Sequence, residues 1–295
     1  MSSKAYFFLV TATLLWAGNT LAGKLAVGHI SPMMLTLCRW VIAVTLIVSI
    51  SLPQLRKDWP LLKKNWLLLF AYGAFGYSVF NALLYSALRL TSGVNGAIEQ
   101  ASIPMLIFII NFAFFRIRAS WAQLVGFALS ILGIAITASH GDLSALLELD
   151  INAGDLMVLT ASLIYACYTV ALRWRPAISW QSLMAASASG ALVAAVPLLA
   201  VEIASDTFIM PDFTGWMLVL YAGLLPSLVS QIFWVNGVEG IGANRAGLFI
   251  NLIPVFGTVL SVLFLKETLH NFHLLAVALV MAGIAIAEWG KPKTA

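Results

Sequence analysis

The chain has 295 residues, of which 61% are hydrophobic and only 9% charged, with a mean hydropathy of +0.97. Soluble domains carry about 25% charged residues, so this chain cannot cover a water-facing surface, and a soluble enzyme or nucleic-acid-binding domain is excluded. The net charge of +4 is read as a matter of membrane topology.

Uncharged runs recur from end to end, at 5–23, 40–55, 65–88, 100–115, 119–139, 156–172, 176–201, 213–238, 246–265 and 271–287. A helix needs about 20 apolar residues to cross the hydrocarbon core. The runs lack the alternation of barrel strands, and lipid tolerates no other exposed backbone. The fold class expected is an all-α membrane protein of ten transmembrane helices with short loops. The first run is too long for a signal-peptide core, and Lys24 and Gly28-His29 stand where a cleavage site belongs, so it is expected to stay as a span. Cys38 and Cys167 fall inside spans and read as small packing residues rather than a disulfide.

Placing the N-terminus in the cytoplasm puts Lys4, Arg56, Lys57, Lys63, Lys64, Arg116, Arg118, Arg173, Arg175, Arg245, Lys291 and Lys293 on that side. Only Lys24, Arg89 and Lys266 fall on the other, and Arg39 lies within a span. This bias orients both termini to the cytoplasm. The acidic loop HGDLSALLELD (140–150) and Glu202, Asp206 and Asp212 then lie outside.

The chain also repeats itself. VTATLLWAGNTLAGK (10–24) echoes LTASLIYACYTVALR (159–173) at an offset of 149, and ASIPMLIFIINFAFFR (101–116) overlies NLIPVFGTVLSVLFLK (251–266) at 150. Gly73 falls on Gly223, and GIAI at 133–136 returns at 283–286. Units 1–148 and 149–295 would each hold five helices. Five is odd, so the second unit must enter the membrane from the opposite side. That predicts a 5+5 inverted-topology repeat, an architecture in which two related states expose one central site to either side.

WAGN (16–19), CRWVIA (38–43) and the paired segments 87–136 and 237–286 give the chain a close similarity to the EamA-type members of the drug/metabolite transporter superfamily. The resemblance covers nearly the whole chain. It implies ten helices in a 5+5 inverted repeat and export of small metabolites across the bacterial inner membrane. Within the superfamily the chain looks most like the branch exporting aromatic amino acids and related compounds. The glutamate usual after the ninth span is met by Glu267, whereas the first unit has Ile117 there, a departure from that pattern.

Charged residues inside spans are costly unless paired or hydrated. Arg39 lies seven residues into a span starting at Pro32, and Glu99 six residues into one starting near Gly93. At about 1.5 Å per residue they match in depth and are expected to pair. Two readings stay open: an ion pair that locks two helices, or a gating or coupling pair in which Glu99 takes a proton.

Mid-span polar and aromatic residues give a candidate substrate site. They are Trp16 and Asn19 in the first span, Tyr77, Asn81 and Tyr85 in the third, and Gln100 in the fourth. Tyr165 and Tyr168 follow in the sixth, Gln231 and Trp234 in the eighth, and Asn251 in the ninth. A cavity they line suits a flat, partly apolar solute, and aromatic faces also accept cations. GVNGA (93–97) and ANRAG (243–247) permit close helix approach, and Pro104 and Pro254 are candidate hinges.

HNFH (270–273) pairs two histidines with no third ligand in the sequence nearby, so no metal site is expected. Hydrolase and phosphate-loop motifs are absent from the sequence, which also excludes ATP-driven pumping by this chain alone. The reading is a secondary transporter, not an enzyme, working by alternating access without a cofactor. Its partners are a small-molecule substrate and the lipid bilayer, with no nucleic acid, and it is expected to act as a monomer. The rival readings are a lipid-handling flippase of similar fold and an exporter of non-aromatic amino acids such as threonine.

Overall fold

A computed structural model describes residues 2–116, 120–139, 141, 152–241 and 248–289. Every regular element among the described residues is helical. In the first half these are α1 (Ser2–Leu25), α2 (Pro32–Lys64), α3 (Trp66–Gly73), α4 (Phe80–Ala87), α5 (Gly93–Glu99), α6 (Ser102–Phe115) and α7 (Trp121–Ala138). In the second they are α8 (Ala153–Ala171), α9 (Trp180–Ala204), α10 (Phe213–Leu224), α11 (Ser230–Ile241), α12 (Leu252–Leu265) and α13 (Asn271–Trp289). The acidic loop expected at 140–150 and the ANRAG segment lie outside the described residues, apart from Gly141.

Six helical segments are long and apolar enough to cross a membrane: Ser3–Leu25, Pro32–Lys64, Trp66–Ala87, Ala153–Trp174, Trp180–Ala204 and Phe213–Val238. Four shorter apolar helices accompany them, Met105–Phe115, Trp121–Thr137, Leu252–Leu265 and Asn271–Ile286. Their outward faces carry large apolar side chains such as Phe114, Trp121, Val193, Val201 and Leu263. No water-soluble domain leaves such a surface bare. The chain is a multi-pass membrane protein.

α2 is far longer than the uncharged run 40–55 that announces it. Its 33 residues would extend about 50 Å at 1.5 Å each, beyond a hydrocarbon core of about 30 Å. The charged stretch Arg56–Lys64 therefore continues the helix past the membrane. α2 and α9 lie side by side and antiparallel, each capping the start of the other. At one end the buried Glu202 carboxylate of α9 accepts from Ser31 Oγ (2.6 Å) and the Met33 and Met34 N–H groups (3.1 and 3.3 Å) at the start of α2. At the other end Asp58 of α2 accepts from Ser179 N and Oγ (2.9 and 2.8 Å) before α9. Carboxylates at helix N-termini satisfy unpaired N–H groups and the helix dipole together.

Irregularities recur half a chain apart. A π-helical turn, Ala74–Val79, joins α3 to α4, and a second, Leu225–Val229, joins α10 to α11. Such turns free carbonyls and shift helix faces, and they cluster at functional sites. α6 and α12 each end on a left-handed residue, Arg116 and Lys266, both at φ 54°. Gly133 on α7 meets the Ala276 carbonyl of α13, where an added Cβ would lie 2.8 Å away, and Gly283 on α13 meets the Gly126 carbonyl of α7 in the same way. The span expected to start near Gly93 is not one helix: it breaks at Gln100–Ala101 between α5 and α6, and the uncharged run 246–265 contains the 3₁₀ turn Leu248–Asn251 before α12.

The main packing partners also exchange between halves. α1 lies against α11 and α12, while α8 lies against α4 and α6; α2 pairs with α9, and α7 with α13. α5 and α12 pack closely, with Gly93 against Ser261 and Gly257 against Ala97; the ANRAG part of the expected close approach lies outside the described residues.

Candidate functional site

The polar centre is built on Arg39, in the first half of α2 and only 3% exposed. Its Nη1 donates to Asn19 Oδ1 of α1 (2.9 Å), to Asn81 Oδ1 of α4 (2.6 Å) and to the Tyr85 hydroxyl. Nε and Nη2 both donate to Ser227 Oγ, at 3.1 and 2.7 Å, in the π turn after α10. Tyr85 in turn donates to Asn19 Oδ1 (2.7 Å), and the guanidinium lies over the Trp40 and Tyr85 rings, 5.2 and 5.8 Å from their centroids. Four helical segments thus converge on one cation. All its hydrogen-bond acceptors are neutral, so the network is held by geometry rather than by an ion pair.

The expected pairing of Arg39 with Glu99 does not occur. Glu99 is fully buried at the end of α5, and no donor reaches either of its carboxyl oxygens among the described residues. Equal depth did not fix direction around the helix. Gly96 of α5 and Gln100 just after it turn toward Leu88 and Thr20, whereas Glu99 turns to Asp155 in the first turn of α8. The only contact at salt-bridge distance among the described residues is His29 Nδ1–Asp212 Oδ2 (2.7 Å) in the loops.

Most of the expected aromatic and amide residues do meet, in two groups flanking Arg39. In one, Trp40 stacks on Tyr77 (5.0 Å, 10°), Tyr77 and Tyr165 each lie 5.5 Å from Tyr168, and Tyr165 reaches Phe80 (5.0 Å). The Tyr168 and Tyr77 hydroxyls are 3.3 Å apart. In the other, Trp16 and Trp234 lie 5.2 Å apart, and Trp16 Nε1 donates to the Pro226 carbonyl in the π turn. Asn19 Nδ2 reaches Asn81 Oδ1 at 3.4 Å. Gln100 Nε2 donates to Thr20 Oγ1 of α1 (3.0 Å) and to the Gly96 carbonyl. Gln231 is half-buried on α11. Asn251 closes the 3₁₀ turn before α12, and its side chain lies outside the described residues. A pocket lined by Gly23, Ala26, Ile30, Leu35, Tyr85 and Arg89 shares only Tyr85 with the expected lining.

Pro104 and Pro254 are each the third residue of a helix, α6 and α12. In a first turn proline forfeits no intrahelical bond, so the bends expected of them fall one turn earlier, at Gln100–Ala101 and Leu248–Asn251. His270 and His273 contact each other through the His270 N–H and His273 Nδ1, and no group of three potential metal ligands forms among the described residues. Glu267 accepts from the Gly93 and Val94 N–H groups (2.8 and 3.0 Å) at the start of α5, while Lys24 donates to the Leu88 and Thr91 carbonyls (2.9 and 2.6 Å) after α4. The α4–α5 corner is thereby clamped by charges matched to both helix ends.

The sequence reading missed Ser227, Trp40 and Asp155. Ser227 stands opposite Tyr77 at the 150 offset, and Trp40 belongs to the CRWVIA stretch, so both carried a signal. Asp155 was hidden because the uncharged run starts one residue later.

The fold and this buried centre define a polytopic carrier-type membrane protein. The profile of the EamA-like transporter family matches residues 3–139 and again 152–289; the chain belongs to that family. YyaM of Bacillus subtilis, named an uncharacterized transporter, is 24% identical over 96% of this chain and 93% of its own length. A Salmonella typhimurium protein named a "probable amino-acid metabolite efflux pump" is 24% identical over 98% of this chain and 96% of its own. A "probable terminal-alkyne amino-acid exporter" of Streptantibioticus cattleyicolor is also 24% identical, over 96% and 93%. A solved crystal structure shares the fold with a TM-score of 0.65 at 22% identity, covering 97% of both chains.

Proposed function

We propose that the chain is a secondary exporter of small amphipathic metabolites, chiefly aromatic or hydrophobic amino acids and related aromatic or cationic compounds, working by alternating access. The observation that carries this reading is the Arg39 centre, where α1, α2 and α4 meet Ser227 of the other half between two aromatic groups. Aromatic faces and amides offer a flat solute both apolar cover and hydrogen bonds. Arg39 acts as a latch that must release Ser227 when the halves part. In this reading Trp16, Asn19, Tyr77, Asn81, Tyr85, Gln100, Tyr165, Tyr168, Gln231, Trp234 and Asn251 contact substrate in one or other state.

Ten helices in two inverted five-helix units, 1–148 and 149–295, supply the moving parts. The double family match supports the repeat, as do the twin π turns, the reciprocal Gly133 and Gly283 contacts and the reciprocal capping of α2 and α9. The positive-inside bias supports cytoplasmic termini in a bacterial inner membrane. Self-contained pairing of the two units favours a monomer. The names of the two efflux and exporter relatives support amino acids as the solute class.

The test is uptake into inside-out proteoliposomes of labelled tryptophan, phenylalanine, threonine and a dicationic aromatic. Flux of the aromatics, reduced about 10-fold or more by Trp16→Ala or Tyr77→Ala, is the expected result; 10-fold equals about 1.4 kcal/mol of binding. Flux of threonine alone replaces the aromatic assignment, and flux of none of the four overturns it in favour of lipid handling.

A further inference from the structure

Glu99 is a charged side chain whose burial neither the polar centre nor the helix caps explain. It is fully buried, with both oxygens beyond the reach of any donor among the described residues. Its neighbour across the α5–α8 contact is another carboxyl, Asp155, itself fully buried and accepting from Thr91 Oγ1. Two ionised carboxylates sealed together in a low-dielectric interior repel strongly, whereas a pair sharing one proton is held by a hydrogen bond. The lining of this place is also unusual. Asn95, one turn before Glu99 on the same helical face, is 1% exposed, and Ser102, three residues after Glu99, is 1% exposed; among the described residues neither the Asn95 amide nor the Ser102 hydroxyl has a hydrogen-bond partner. Buried polar groups are seldom left without partners. These N–H and O–H groups are spare donors within one turn, in sequence, of a carboxyl that has none among the described residues.

We propose that Glu99 and Asp155 form the proton-carrying site of the transport cycle, making the chain a proton-coupled exporter. The inference rests on the exporter reading above for its role, but the site itself does not depend on which solute is carried. In the state described here the pair holds one proton between its facing oxygens. When α5 and α8 part toward the cytoplasm, the O–H bond breaks and the proton passes to water. The bare carboxylates are then taken up by Asn95 Nδ2–H and Ser102 Oγ–H. When the site faces outward, a hydronium ion supplies the proton, the O–H bond re-forms and water is released. One proton enters for each substrate that leaves.

The route to the substrate centre is short. Gln100 follows Glu99 directly, at the break between α5 and α6, and its amide holds Thr20 of α1. A shift of α5 on deprotonation therefore acts on α1, which carries Trp16 and Asn19. Other ionisable groups lie on the neighbouring segments. Lys24 of α1 binds the Leu88 and Thr91 carbonyls, Glu267 after α12 binds the Gly93 and Val94 N–H groups, and His273 of α13 binds the His270 N–H. His140, beyond the end of α7, lies outside the described residues.

Infrared difference spectroscopy on the detergent-solubilised full chain tests the site without any substrate. The expected result is the carbonyl stretch of a protonated carboxyl that persists at neutral pH, disappears in Glu99→Gln and shifts or disappears in Asp155→Asn. A spectrum with no such band, or a band unchanged in both variants, overturns the proposal whatever the solute proves to be. If Glu99→Gln elutes as aggregate, Asp155→Asn and the wild type carry the test. In proteoliposomes holding a lumenal pH dye, substrate flux by the wild type should move protons the opposite way at about one per substrate. An imposed pH gradient should raise accumulation above equilibrium, and Asp155→Asn should return it to equilibrium. Accumulation driven by a sodium gradient at equal pH, or flux with no proton movement, overturns the assignment. Absence of flux for every solute offered counts against the exporter reading alone and leaves the infrared result to decide the site.

Discussion

The two halves of the chain share a scaffold and divide the chemistry unequally. Both contain a π turn, a left-handed residue ending the helix that precedes the last one, and a glycine in each of two corresponding helix contacts. Yet Arg39 stands opposite Ser187 at an offset of 148, and Glu99 opposite Phe249 at 150. Asn19, Arg39, Asn81, Tyr85, Glu99 and Gln100 all lie in the first half, while the second supplies Ser227, Trp234 and Asp155. The lesson is a division of labour. Duplicated backbone features set how the helices pack and where they break, and unduplicated side chains build the buried polar centre.

The largest effect expected follows from that asymmetry. Replacing Arg39 by Met leaves the acceptors of Asn19, Asn81, Tyr85 and Ser227 without their shared donor, and unsatisfied buried polar groups cost about 1–3 kcal/mol each. Partial rearrangement leaves an expected loss on the order of 3 kcal/mol, read as a lower unfolding midpoint in detergent and abolished substrate flux. Arg39→Lys should recover part of the stability only, because a single ammonium cannot reach Ser227 and the Asn19–Asn81 pair together. Ser187→Ala, at the corresponding place in the second half, should change neither measurement appreciably. Equal losses at both positions would remove the distinction between the halves.

A second, smaller effect probes what the halves have in common. Gly73 packs against the Ser187 backbone of α9, and Gly223 against Ile42 and the Arg39 carbonyl of α2, which are corresponding places. The contacts are not equally tight. A Cβ at Gly73 would overlap the Ser187 carbonyl oxygen, a backbone atom, whereas one at Gly223 would lie 2.9 Å from the Ile42 side chain and 3.2 Å from the Arg39 carbonyl. Overpacking costs about 1–3 kcal/mol. Gly73→Ala should fall near the top of that range and Gly223→Ala near the bottom, as measured by thermal unfolding in detergent. The reverse order would mean that the α3–α9 contact yields more readily than its counterpart.

These pairs show how far the sequence could be read. Uncharged runs carried the helices, and the offset of 150 carried Gly73/Gly223 and Gly133/Gly283, because packing against a neighbouring backbone demands a small residue at both copies. Hydropathy carries no record of backbone hydrogen-bond pattern, so the π turns and the break at Gln100–Ala101 were invisible within apolar runs. It also under-reads α2, whose last turns are charged. Depth along a helix was legible for Arg39 and Glu99; direction around it was not, because that depends on which neighbour each face meets. Asp155 was lost for a related reason. A charge at the edge of an apolar run looks like a loop residue, and only the packing of α8 against the α4–α5 corner shows it buried.

The smallest effect belongs to the loops, where the halves differ once more. Asp212 caps α10 by accepting from the Gly215 N–H (2.8 Å) and contacts His29 (2.7 Å), with both side chains well exposed. Asn65 holds the corresponding place before α3, and its side chain caps nothing there, bonding back to the Leu61 carbonyl instead. The Gly215 N–H, and secondly His29, hold the Asp212 carboxyl below the usual carboxylate range. A group whose folded pKa is depressed contributes stability that is present above its unfolded value, about 3.9, and is lost as pH falls through the folded value. Asp212→Asn should therefore lower the unfolding midpoint slightly at pH 7, with the gap from wild type closing as pH falls below about 4. Added salt should weaken the His29 contribution first, since exposed pairs are screened while the Gly215 cap is not. A midpoint in Asp212→Asn that falls at pH 7 as far as in Gly73→Ala would show that this loop, and not the helix contacts, ties the second half to the first.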